Sequence, residues 1–190
     1  MKYSLILVAG LALSACNLET PASTEAPPQT GTIGVQFAQI PVGTAFHYRA
    51  SNGDTWANIY RGKQNGLYVM ETTFVNAGVT RRTYHNADGL RVKSTGHHGR
   101  VDGLVTTFTP HRCARVLGTC QMTVRNTGPK QSSDTYTSVL KPSSNGYRFT
   151  AQKADGSDKH SSTFRLGQFN VHNYWSDGDW TERLVKVVTP

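Results

Sequence analysis

Asn-Gly and Asp-Gly dipeptides punctuate this chain, and no other feature limits its fold as tightly. They stand at Asn52-Gly53, Asn65-Gly66, Asp88-Gly89, Asp102-Gly103, Asn145-Gly146, Asp155-Gly156 and Asp177-Gly178. Each pair accepts the positive φ angles of a tight hairpin turn, which most residues resist. Asn76-Ala77-Gly78 and Asn126-Thr127-Gly128 are softer versions. Most of these turns are roughly 10 to 17 residues apart, room for one strand and its connection. Long helices have no space.

The intervening segments alternate as half-buried strands do. Phe46 and Tyr48 oppose His47 and Arg49, while Trp56, Asn58 and Tyr60 share one side. Leu90 and Val92 oppose Arg91 and Lys93; Cys120, Met122 and Val124 oppose Gln121, Thr123 and Arg125. Val185 and Val187 alternate with Leu184, Lys186 and Val188. The pattern predicts an all-β domain over residues 32–190, an antiparallel up-and-down meander of roughly nine to eleven strands. So long a meander forms a barrel-like or strongly curved sheet, with a two-sheet sandwich as the alternative.

Residues 1–15 read as an export signal: Lys2 supplies a positive start, and Tyr3 to Ala15 is apolar but too short for a permanent span. Its end, Leu13-Ser14-Ala15-Cys16, resembles the lipobox of bacterial lipoproteins. The resemblance implies cleavage before Cys16, acylation of that cysteine (palmitate included) and membrane attachment through the lipid. Residues 16–31, with Pro21, Pro27 and Pro28, carry no apolar period and read as a flexible tether. Asn17, in place of the Asp associated with inner-membrane retention, favours the outer membrane, facing the periplasm. Export also suits a disulfide between Cys113 and Cys120, the remaining two of three cysteines.

Catalytic signatures are sparse. The eight Asp residues fall in predicted turns, which explains them without chemistry. Glu71 and Glu182 lie in predicted strands, and a carboxylate pair or a His cluster would be the basis of an envelope hydrolase. Adjacent His97 and His98 are weak metal candidates in a Gly-bounded loop; no cofactor is expected. Ser138-Val139-Leu140-Lys141 matches the Ser-x-x-Lys of β-lactamases, but that chemistry needs a helix, and a strand points the two side chains apart.

Charge and aromatics carry more. The chain holds 20 Lys+Arg against 12 Asp+Glu, a formal charge of +8. Arg81, Arg82, Arg91, Lys93, Arg112, Arg115 and Arg125 would form a basic sheet face if their strands are neighbours. Such a face attracts anionic lipid, lipopolysaccharide, peptidoglycan or acidic protein; nucleic acid is not an expected partner of an exported chain. Tyr174, Trp175 and Trp180 bracket a loop where rings can stack on a ligand or close a barrel end. The expected function is a non-enzymatic binding or assembly module of the envelope. The alternatives are the hydrolase and, by analogy with lipocalin-like folds, a carrier of a small apolar ligand, which requires an interior not filled by side chains.

Overall fold

A computed structural model describes residues 33–74, 78–96 and 103–190, apart from the side chain of Ala114. Cys16, His97 and His98 therefore lie outside the described residues, as do the signal and tether. Twelve strands follow one another: β1 Ala45–Ala50, β2 Thr55–Gln64, β3 Leu67–Phe74, β4 Val79–His85, β5 Arg91–Gly96, β6 Val105–Thr109, β7 Gly118–Thr127, β8 Ser132–Ser143, β9 Gly146–Lys153, β10 His160–Leu166, β11 His172–Asp177 and β12 Trp180–Val188. Each pairs antiparallel with the next, and β1 pairs with β12, Phe46 opposite Val187. The sheet is a closed barrel, not a sandwich. The strand count exceeds the expected nine to eleven.

Turn chemistry accounts for the connections. Asn65 and Gly66 take φ of 48° and 79°, the positive pair of a two-residue hairpin. Gly146 is glycine for a different reason: a Cβ there would stand 2.0 Å from the Phe164 carbonyl oxygen across the wall. Asp134 and Asp177 depart from the turn assignment. They lie within β8 and β11, where Asp134 meets Lys153 at 3.2 Å and Asp177 meets His160 at 2.8 Å.

Bulges modify the alternation. Val185 is passed over in the β1–β12 register, since Lys186 faces His47 and Leu184 faces Tyr48. Leu184 and Val187 therefore pack on the core, and Val185 is 56% exposed, contrary to the simple alternation. Val92 is likewise passed over between Tyr84–Lys93 and His85–Arg91.

In an up-and-down barrel, alternate connections gather at opposite ends. One end holds the β2–β3, β4–β5, β6–β7, β8–β9 and β10–β11 connections. The segment 33–40 crosses this end as a strap. Ile33 packs with Leu140 and Tyr147, whereas Phe37 stacks against Tyr68 and contacts Tyr60 and His85. Gln36 N–H donates to the Phe169 carbonyl at 2.9 Å, and a Cβ on Gly34 would stand 1.9 Å from the Asp88 carbonyl oxygen. The β4–β5 and β10–β11 turns lie six strands apart in a ring of twelve, so the strap spans the barrel.

The outer wall is charged. Arg49, Arg61, Arg82, Lys93, Arg125, Arg148 and Arg183 alternate with inward-facing neighbours. This inverts a membrane-spanning barrel, whose outer band is apolar and where a midplane Arg or Lys costs about 2–4 kcal/mol.

Candidate functional site

Twelve strands enclose more space than their side chains fill, and a cavity of about 820 Å³ remains inside. Val35 and Phe37 of the strap line its floor. Its lining continues to Asp54, Thr55 and Trp180 at the opposite end, where Asp54 is exposed.

The wall from β9 round to β3 is aromatic. All three tryptophans of the chain, Trp56, Trp175 and Trp180, line the cavity with Tyr48, Phe74, Phe149 and Phe164. Trp56 lies near-parallel to both Tyr48 and Trp180, at ring-centroid distances of 6.0 and 6.5 Å. His160 stacks on Trp175 at 6.4 Å. Within this wall Tyr48 O–H donates to the His172 carbonyl at 2.8 Å, and His172 Nε2 is bonded to Glu182 Oε1. Burial, then the Glu182 charge, raises the Tyr48 pKa far above the ordinary phenol value, so the hydroxyl stays protonated. The Glu182–His172 pair resembles part of a proton-transfer relay, yet among the described residues no hydroxyl or thiol is bonded to the His172 ring.

The wall from β4 to β7 is basic. Arg81, Arg91 and Arg115 line the cavity together with His85, His111 and Phe108. Arg91 and Arg115 are enclosed by protein yet retain accessible surface, because that surface faces the lumen. None of the three forms an ion pair with a described carboxylate. Rings hold two of them: Arg91 sits 4.4 Å from the Phe108 centroid and Arg81 5.5 Å from that of Phe74. Among the described residues, the buried Arg81 Nε has no hydrogen-bond partner. Burial, with Arg81 and Arg115 nearby, pushes Arg91 down to about 10, still charged at neutral pH. Arg81 and Arg115 are lowered mainly by burial, with Glu182 partly offsetting it for Arg81.

His85 adds no charge. Burial first, then Arg115 and Arg91, push it down to about 3, against the opposing pull of the Gly89 carbonyl. Its ring bridges that carbonyl through Nδ1 at 3.2 Å and the Thr83 hydroxyl through Nε2 at 3.1 Å.

The sequence-based sites are thus redistributed. Of the expected basic face, Arg81, Arg91 and Arg115 turn inward, while Arg82, Lys93 and Arg125 stay outside and Arg112 is exposed on the β6–β7 connection. Adjacent residues such as Arg81 and Arg82 cannot share a strand face. Of the aromatic group, Trp175 and Trp180 line the lumen, and Tyr174 lies outside between Arg165 and Arg183, at 4.6 and 5.8 Å from its ring. Glu71 and Glu182 do not converge. Glu71 faces outward, held by Arg61 at 2.7 Å and Arg82 at 2.8 Å, while Glu182 lines the cavity. Ser138 is buried and donates to the Cys120 carbonyl, whereas Lys141 is exposed, as the strand geometry requires.

Cys113 and Cys120 are bonded, with Cα atoms 5.3 Å apart. The bond ties the 3-10 turn His111–Arg115, which carries the lumen residues His111 and Arg115, to the start of β7, and Arg115 lies within the loop it closes. Among the described residues, no group of three His, Cys, Asp or Glu side chains is placed to hold a metal ion. Sequence reasoning missed the inner roles of Asn58, Thr72 and Met122, whose signal was the inward phase of their strands. No protein-family model, curated protein or solved structure matches the chain.

Proposed function

We propose that this chain is a non-enzymatic binding protein of the bacterial envelope that holds a small ligand inside its barrel. The observation that carries this reading is the lumen itself: a cavity of about 820 Å³ lined by three tryptophans and three arginines. Side chains that only fill a core pack to near-crystal density and avoid arginines lacking carboxylate partners. Ligand sites instead combine concave apolar walls with a few directed polar groups. The hydrolase alternative loses its carboxylate pair, because Glu71 is engaged on the outer wall.

Lipid attachment at Cys16 and placement in the outer membrane belong to the same proposal, supported by the lipobox-like Leu13-Ser14-Ala15-Cys16 and the tether-like composition of residues 16–31. Metabolic labelling with palmitate tests attachment: label should enter the wild type and be absent from Cys16→Ser.

Isothermal titration calorimetry of the purified full-length protein with 2-naphthoate and 2-naphthamide tests the lumen. Saturable one-to-one binding of either compound, weakened by the lumen-filling Ser162→Phe, is the expected outcome. Absence of binding by both would remove the carrier reading.

A further inference from the structure

The geometry points to an organic monoanion as the ligand class: an apolar, ring-bearing body lies against the aromatic wall, and its carboxylate or equivalent head meets Arg81, Arg91 and Arg115. This inference rests on the lumen-binding reading and specifies it.

Three features of the cavity converge on that class. Its positive charge is concentrated: Arg81, Arg91 and Arg115 form no ion pair with a described carboxylate, and of the lining carboxylates Asp54 and Glu182, Glu182 acts on Arg81 while it is bonded to His172. Guanidinium groups gathered in a confined space repel one another and lose hydration, so each is held at a cost that an anion would relieve. Cation–π contacts with Phe74 and Phe108 fix Arg81 and Arg91 by their faces. Both residues line the cavity, a guanidinium suits planar, bidentate recognition of a carboxylate, and among the described residues the buried Arg81 Nε has no hydrogen-bond partner.

The body is constrained by the facing wall. Trp56 is already part of a near-parallel series with Tyr48 and Trp180, at interplanar angles of 14° and 18°. A planar apolar body adds to such a series by offset stacking and needs no rearrangement of the wall. A bare inorganic anion would satisfy the arginines and leave the aromatic surface wet. A neutral apolar compound would cover the rings and leave the arginines unanswered.

Comparing 2-naphthoate with isosteric 2-naphthamide isolates the head. Charge-assisted contacts in a lumen should favour the naphthoate by roughly tenfold or more. The paired substitution Arg81→Gln/Arg91→Gln should erase that preference while naphthamide affinity changes little. Circular dichroism verifies that the variant retains its barrel, and single Arg91→Gln and Arg115→Gln variants provide the same readout if the pair does not fold. Equal affinity of the two compounds for the wild type would overturn the anion assignment and leave lumen binding intact. Inorganic phosphate binding as tightly as 2-naphthoate would overturn the amphiphilic assignment. Binding by neither naphthyl compound would remove the carrier reading on which this inference depends.

Discussion

Arg91 stands opposite His85 on the lumen side of the wall because Val92 is passed over where β4 pairs with β5. One unpaired residue thus places a cation beside an imidazole and links the charge of the cavity to the stability of the barrel.

That link predicts an acid-side loss of stability. An unfolded histidine titrates near ~6.5, whereas folded His85 is pushed down to about 3. Stability from its neutral form is complete above the unfolded value and declines as pH falls toward the folded one. The loss should reach about 2 kcal/mol by pH 5. Urea unfolding of wild type and His85→Gln at pH 7 and pH 5 checks it. The variant should start less stable and show a shallower decline; parallel declines would refute a buried neutral His85.

The disulfide should contribute about 2–3 kcal/mol through loop closure. Cys113→Ser/Cys120→Ser should therefore melt earlier. It should also weaken 2-naphthoate binding more than 2-naphthamide binding, since Arg115 lies on the loop the bond closes. Differential scanning calorimetry and titration calorimetry read the two effects separately.

Phe37 anchors the strap, 2% exposed among Tyr60, Tyr68 and His85. Phe37→Ala should cost about 3–5 kcal/mol, measured by equilibrium unfolding. A loss below about 1 kcal/mol would mean that the strap contributes little to the packed core.

Glu71 serves as an outer-wall control. The hydrogen bond from Arg61 chiefly lowers its pKa, and Arg82 adds to the effect. Its contribution is present above the unfolded carboxylate value near ~4.3 and fades as pH falls through the lowered folded value. Both arginines are about half exposed, so Glu71→Gln should cost only about 1 kcal/mol at neutral pH. Naphthoate affinity should be unchanged, because the side chain faces away from the lumen.

The repeated Asn-Gly and Asp-Gly pairs were sufficient to determine an antiparallel meander, because positive φ at short intervals leaves the chain few other local conformations. Period-two alternation also placed Phe46, Tyr48, Trp56 and Tyr60 on the buried side. Closure was decided only in three dimensions, by the pairing of β1 with β12, more than 130 residues apart in sequence. The sign of the lumen was decided there too. Arg81 and Arg82 look alike in sequence, but strand phase sends one inward and the other to Glu71. Arg91 and Lys93 should share a face by strict alternation, and the bulge at Val92 separates them. A bulge changes side-chain phase by one residue, and its position depends on which strand lies alongside, so local sequence could show the basic residues without showing which of them face a ligand.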